Sequence, residues 1–228
     1  MVKKIIIFII ILLLLSFILK QDYIYYLRDY LYDTNNNVIV FKEENNALKK
    51  EIKELKNLLE LKNTNYKLKY ASVISRNTKD YFEEVIIDVG KKDGIKENLA
   101  VITKDGLIGK IIKVTNKTST VRLITSSNIY NKISVNIEAD NKSVTGIITN
   151  YDSLTNSLTI EGITENVNIQ TGSLVTTTGL SDIYPSGILV GRVSRVMKDN
   201  FDLAYILKVE PTENLSSFHY VAVIVKWY

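Results

Sequence analysis

Three hydrophobic rhythms follow one another along the chain. The first is an unbroken apolar run: Ile5 to Leu19 reads IIIFIIILLLLSFIL, with Ser16 its one polar position, Lys3 and Lys4 before it and Lys20 after it. As a helix the run rises roughly 22 Å, short of a hydrocarbon core of roughly 30 Å. Val2 and the snorkelling stems of the flanking lysines extend it. Tyr23, Tyr25 and Tyr26 follow, where an aromatic belt lies. No A-x-A-like site of small residues follows Leu19, so the run reads as an uncleaved anchor rather than a signal peptide. Lys3, Lys4 and the amino terminus predict an N-inside orientation, with everything after residue 20 outside. Residues 1–21 are thus expected to form a cytoplasmic tip and transmembrane anchor.

The second rhythm steps by three and four from Val38 to Tyr66. With Val38 at position a, the a positions are Val38, Asn45, Ile52, Leu59 and Tyr66, and the d positions are Phe41, Leu48, Leu55 and Lys62. About four heptads are enough to predict a coiled coil. β-branched residues at a with leucine at d favour two parallel strands, and a lone a-position asparagine, here Asn45, sets register and dimeric state. The g and e positions complement each other, Glu44 with Lys49 and Glu51 with Lys56 of the partner helix. The alternative is a single amphipathic helix laid on the following domain through Leu58 and Leu61. The expected segment is 22–70, a juxtamembrane stretch and a coiled-coil stalk whose seam is roughly 43 Å long.

The third rhythm begins after Tyr70, where the period changes to two. The predicted strands are Ser72–Arg76, Glu83–Val89, Leu99–Thr103, Leu107–Val114, Thr120–Ile124, Lys132–Glu138, Ser143–Thr149, Leu158–Ile160, Ser173–Thr178, Leu189–Val196, Leu203–Val209 and Val221–Val225. Turn signals such as Lys104-Asp105-Gly106, Ala139-Asp140-Asn141 and Pro185-Ser186-Gly187 separate them. Twelve short strands without an intervening helix imply a sandwich or barrels rather than a parallel α/β fold. A faint repeat joins IKENLAVIT at 95–103 to IQTGSLVTT at 169–177, and GKIIKV at 109–114 to GRVSRV at 191–196. Two similar β lobes would produce it; so would convergent strand patterning.

Composition narrows the chemistry. The chain has 228 residues, 46% of them hydrophobic, no cysteine, one histidine and a formal charge of +4. Disulfides and thiolate catalysis are excluded, and a single histidine cannot by itself build a histidine zinc site. His219, with Ser216, Ser217 and Asp202 as conceivable partners, lacks a nucleophile-elbow context and reads as a polar turn residue. Gly106-Leu107-Ile108-Gly109-Lys110 has the wrong spacing for a phosphate-binding loop, and Ile111 stands where the metal-binding hydroxyl belongs. Glu83, Glu84 and Asp88 fit strand patterning better than an acid–base pair. The tyrosines cluster near the membrane run instead of interleaving with lysines along the strands, which argues against nucleic acid. No catalytic, metal or cofactor residues are assigned.

The order of anchor, coiled coil and β domain resembles the rod-shape-determining protein MreC family. Four blocks carry the resemblance: IDVGKKDGIKENLAVITKDGLIGKIIKV at 87–114, STVRLITSSN at 119–128, TTGLSDIYPSGILVGRV at 177–193 and VEPTENLSSFHYVAVI at 209–224. The third is the most specific, through Gly179, Tyr184-Pro185, Gly187 and Gly191. The departures are Thr178 and Asp182 in place of serine and glycine, and Ser126 in place of an acidic residue. The resemblance implies an all-β extracytoplasmic region of two small six-stranded β-barrels, similar to chymotrypsin-like proteases without their catalytic residues. It also implies a non-enzymatic scaffold of the cell-elongation peptidoglycan machinery, single-pass in the inner membrane. That scaffold would be homodimeric through the coiled coil, with further self-association, and would contact MreD, a class B penicillin-binding transpeptidase and MreB. Dividing the strands six and six gives a first lobe of 72–116 plus 198–228 and a second of 117–197. Two other readings remain open at this point: a membrane-tethered β-barrel hydrolase, and an export-system adaptor, which would carry a long helical hairpin inside the β region.

Overall fold

A computed structural model describes residues 21, 23, 39–40, 42–55, 65–76, 81–128, 131–140 and 142–227. The expected anchor, Ile5 to Leu19, lies outside them, and among the described residues no helix is long and apolar enough to cross a membrane. The chain divides into two compact units, Met1–Lys53 and Glu54–Tyr228. In the first, residues 42–53 are helical and exposed throughout, and the helix runs on to Leu55.

The second unit holds twelve strands: β1 (Tyr66–Arg76), β2 (Glu84–Ile87), β3 (Ala100–Ile102), β4 (Leu107–Val114), β5 (Ser119–Leu123), β6 (Ile133–Ala139), β7 (Lys142–Asp152), β8 (Ser157–Ile163), β9 (Leu174–Thr177), β10 (Leu189–Lys198), β11 (Tyr205–Pro211) and β12 (Tyr220–Trp227). Each predicted strand overlaps one of them. They close into two antiparallel barrels, in the orders β1-β12-β3-β4-β5-β2 and β10-β11-β8-β7-β6-β9. Alternation sorts the side chains: Ser119, Val121 and Leu123 of β5 and Ile133, Val135, Ile137 and Ala139 of β6 point inward and are buried, while their neighbours face out. Closure leaves no free sheet edge in either ring.

The two rings have the same connectivity. Matching β1, β2, β3, β4, β5 and β12 with β7, β8, β9, β10, β11 and β6 reproduces every strand pair of one barrel in the other. The place taken by β6 in the second barrel is therefore taken in the first by β12, the last strand of the chain. The sequence repeat falls on corresponding strands, β3–β4 and β9–β10. Its shared glycines are sterically required: a Cβ at Gly109 would lie 1.9 Å from the Arg122 carbonyl oxygen, and one at Gly191 would lie 2.4 Å from that of Glu210.

Two expectations are corrected. Tyr66, assigned to the helical seam, is the first residue of β1 and pairs with Trp227. Tyr66, Leu68 and Tyr70 also recur at period two, and pairing with β12 selects that period. The lobe boundaries at 116/117 and 197/198 exchange one strand each way. β5 pairs with β2 and β4 in the first barrel, and β11 with β8 and β10 in the second. Both divisions cut through a hairpin. The β4–β5 turn is tied by Thr115 N–H to the Thr118 carbonyl at 2.8 Å, and the β10–β11 turn by Asp199 N–H to the Ala204 carbonyl at 2.9 Å. Such short connections keep sequential strands adjacent. The second barrel is the continuous stretch β6–β11, set between β5 and β12.

Candidate functional site

The segments crossing between the barrels converge at one junction. Gly106, in the β3–β4 turn, lies against the second barrel so closely that a Cβ would meet the Leu189 carbonyl oxygen at 2.6 Å. Thr103 donates its hydroxyl to Glu213, on the segment leading from β11 to β12, and Thr212 N–H bonds the Val190 carbonyl at 3.2 Å. Burial pushes the Glu213 carboxyl above the ordinary glutamate range; the Thr103 bond opposes that shift, and Asp105 and Glu54 add to it. Further along, Arg76 donates to the carbonyls of Leu215 at 2.9 Å and Tyr81 at 3.2 Å, and its guanidinium lies 4.5 Å from the Tyr81 ring centre and 4.6 Å from that of Phe218.

On the other crossing, the Glu83 carboxylate accepts from the Ser126 hydroxyl at 2.5 Å, the Ser127 N–H at 2.8 Å and the Ser127 hydroxyl at 2.7 Å. Burial alone would raise this carboxyl, but those donors and the Arg122 charge hold it below the ordinary range. An acidic residue at Ser126 would face Glu83 with like charge, so the departure at this position fits its partner. Phe82 packs on Tyr151 of β7 with ring centres 5.3 Å apart.

The glycine–proline segment forms the β9–β10 connection. Buried Thr177 donates its hydroxyl to the Pro185 carbonyl and accepts from Ile188 N–H at 3.0 Å, closing the loop onto itself. Gly179 adopts φ +74° with its Cα side against Ser186, and Gly187 adopts φ +83°. Tyr184 is buried, which pushes its hydroxyl pKa up, with Arg122 opposing. Gly191 lies in β10 between Val175 of β9 and Pro211 of β11. Sequence reasoning named these glycines but missed Thr177, Arg76 and the Glu83 cradle; the repeated glycine at the head of GKIIKV and GRVSRV was the available sign for Gly109.

Of the proposed seam, Asn45, Leu48, Ile52 and Leu55 are described and lie on one exposed helical stretch, with Leu48 and Ile52 51% exposed and Leu55 42%. Val38, Phe41 and Leu59 fall outside the described residues, as does Lys56; Glu44, Lys49 and Glu51 are exposed helical residues.

The conceivable triad is not assembled. His219 precedes β12 in the first barrel with Nδ1 3.2 Å from the Glu54 carboxylate, whereas Asp202 sits on the β10–β11 turn of the second barrel, beside Lys198 at 3.8 Å. Among the described residues no group of three or more histidine and carboxylate side chains is placed to hold a metal ion.

Comparison with known proteins converges on one family. Residues 73–225 match the model described as rod shape-determining protein MreC, barrel core. The cell shape-determining protein MreC of Listeria monocytogenes is 35% identical over 179 residues, covering 78% of this chain and 60% of that protein. The chain spans 53–63% of the length of the first curated relatives it matches. A solved Listeria monocytogenes MreC structure, 32% identical, aligns with a TM-score of 0.65 over 87% of this chain and 96% of that one. In a complex between penicillin-binding protein PBP2 and MreC from Helicobacter pylori, the matching chain is 21% identical with a TM-score of 0.53, covering 70% of this chain and 99% of that one, a likeness of fold. Twin closed barrels joined by the junction that the four sequence blocks build, and a family model running from β1 to β12, lead to one conclusion: this chain belongs to the MreC family.

Proposed function

We propose that this chain is a membrane-anchored, extracytoplasmic scaffold of the cell-elongation machinery, maintaining rod shape by holding cell-wall synthesis proteins together. The family match across both barrels carries the reading, since the matched relatives are cell shape-determining proteins. On this reading the chain is not an enzyme, which the placement of His219 and Asp202 on different barrels supports; against the export adaptor stands that no helical hairpin lies among the described residues of the β region. Among the described residues from Tyr66 to Trp227 the one helical element is the 3-10 turn Lys91–Asp93.

The partners follow in the same spirit. A class B penicillin-binding transpeptidase is the first, supported by the relative found in complex with PBP2; MreD and MreB complete the set. The exposed spacing of Leu48, Ile52 and Leu55 supports a parallel homodimer, because a second helix would cover an apolar stripe that the single chain leaves in water. Anchoring by Ile5 to Leu19 with the barrels outside the inner membrane follows from the lysine flanks.

The test is photo-crosslinking in the native cell, with a reactive residue placed at exposed positions of each barrel in the full chain. Capture of the elongation transpeptidase from at least one barrel face is expected. Full replacement of the native copy without loss of rod shape, combined with no wall-synthesis protein captured from any position, would overturn the reading.

A further inference from the structure

The first barrel is basic. Residues 66–123 with 220–227 contain thirteen basic and seven acidic side chains, a formal +6. Part of that charge is gathered around an apolar cleft at one end of the ring.

The cleft begins where two strands separate. β12 pairs with β3 at Ala222 and Val223. Past that pairing it opens to about 340 Å³, with Val225 on the β12 side, Leu99 on the β3 side and Leu68 of β1 beside them. A bulge aims one of these side chains. Lys67 pairs with Lys226 and Leu68 with Ile224, so Val225 is an extra residue on β12, and such an insertion re-aims a side chain from its strand. Gly94 and Lys96 line this part and also a second one of about 430 Å³ over Ile95 and Val114. Gly94 keeps the passage between them open: it takes φ +81°, and a Cβ built on it meets nothing within 4 Å.

Charge surrounds this apolar floor. Lys67, Lys69, Lys91, Lys96 and Lys226 stand around it against two acids, Asp93 and Glu97. Asp93 is already answered. Its carboxylate lies 2.9 Å from Lys69 Nζ and accepts the Gly90 N–H at 3.1 Å, and both contacts hold the carboxyl below the ordinary aspartate range. The Gly90 bond also closes the Lys91–Asp93 turn that presents Lys91. Lys67, Lys91 and Lys96 are exposed, while Leu68, Leu99, Val114 and Val225 are half-buried. An occupant must supply negative charge at the rim and apolar groups at the floor along one length. A phosphate polymer has the first without the second. An acyl chain has the second, but on half-buried residues in an open cleft its outer side stays wet. An extended peptide alternating acidic and apolar residues has both, because successive side chains point to opposite faces, and lysine stems are long enough to reach the outward carboxylates.

We propose that the lysine-rimmed cleft of the first barrel is a docking groove for an extended acidic segment of a partner protein, whose apolar side chains seat on Leu68, Leu99, Val114 and Val225 while its carboxylates pair with the lysines. The apolar floor sets which side chains enter, and the positive charge of the barrel steers the segment in from a distance. The groove goes beyond the scaffold reading and does not rest on it, since its shape and charge are the same whatever the chain holds together.

The test is fluorescence anisotropy of a labelled octapeptide that alternates glutamate and leucine, titrated with the full-length chain in non-ionic detergent. Binding is expected, and a peptide with serine for leucine or glutamine for glutamate should bind about tenfold more weakly. Lys67→Glu with Lys91→Glu should weaken binding of the alternating peptide about tenfold through like-charge juxtaposition, and Lys67→Arg with Lys91→Arg should leave it unchanged. Gly94→Asn keeps a residue that tolerates positive φ and puts a side chain in the passage; it should weaken binding about tenfold with the melting temperature unchanged. Equal binding of the serine peptide, or displacement by polyphosphate at a lower concentration than by unlabelled peptide, would overturn the proposal in favour of a phosphate polymer. Displacement by dihexanoyl phosphatidylglycerol at a lower concentration than by unlabelled peptide would overturn it in favour of lipid. Binding indifferent to the lysine reversal, or no binding of the alternating peptide, would overturn the groove itself.

Discussion

Glu213 is the residue where the junction is under electrostatic tension. Its carboxyl is raised chiefly by burial, with Asp105 and Glu54 adding to the effect against the Thr103 bond. A carboxyl whose folded pKa exceeds its unfolded one binds more protons in the native state, so stability falls as pH rises through the interval above the ordinary glutamate value. Glu213→Gln removes the charge, keeps an acceptor for Asn214 N–H and offers an amide to the Thr103 oxygen. The expected outcome is a melting temperature about 2–4 °C higher at pH 7 and a flatter stability profile above pH 5, measured by thermal denaturation across pH. A lower melting temperature at pH 7 would mean that the ionised carboxylate is a net stabiliser of the junction. Glu83 has the reverse sign: its lowered carboxyl contributes stability above the ordinary glutamate value and loses it as pH falls. The two titrations have opposite signs in adjacent windows, one above and one below the ordinary glutamate value, so together they place the stability maximum of this pair near that value.

At the scale of elements, the helix carries the prediction. Asn45 lies on the exposed stretch that holds Leu48, Ile52 and Leu55. If that stretch is a two-stranded seam, Asn45→Leu exchanges a buried polar pair for apolar contact, raising the melting temperature while loosening the preference for dimers. Ile52→Asp should instead convert the full chain in detergent to monomers by sedimentation. An unchanged melting temperature in the first variant together with an unchanged mass in the second would remove the coiled-coil reading. The strands were legible for a local reason: alternation over four to eight residues and turns such as Lys104-Asp105-Gly106 are written in neighbouring positions. The start of β1 was not, because Tyr66 satisfies a heptad and an alternating pattern equally, and only Trp227, 161 positions away, decides between them. The junction was hidden for the same reason. Arg76 and Glu83 look like ordinary strand or loop residues until Leu215 and Ser126, 139 and 43 positions away, supply their partners.

Barrel membership belongs to the whole molecule. The rings are identical in connectivity, yet the first is completed by β12, at the far end of the chain, while the second is completed within β6–β11. Local patterning cannot announce such an arrangement, which is why one strand was exchanged in each direction at the expected lobe boundary. It has a mechanical consequence. β12 stands between β1 and β3, and Val221, Ala222, Val223 and Ile224 are wholly buried. At about 1.5–3 kcal/mol for each large apolar side chain, removing them costs the first barrel an amount comparable to the 5–15 kcal/mol that holds a domain together. It also exposes the edges of β1 and β3. The second barrel loses no strand. A chain ending at Phe218 should therefore lose amide hydrogen-exchange protection in β1–β5 by at least about a thousandfold, a loss of roughly 4 kcal/mol, while β6–β11 stay protected. Equal loss in both would show that the junction at Gly106, Thr103 and Glu213 couples the barrels into one cooperative unit, and that the second barrel cannot stand without a closed first one.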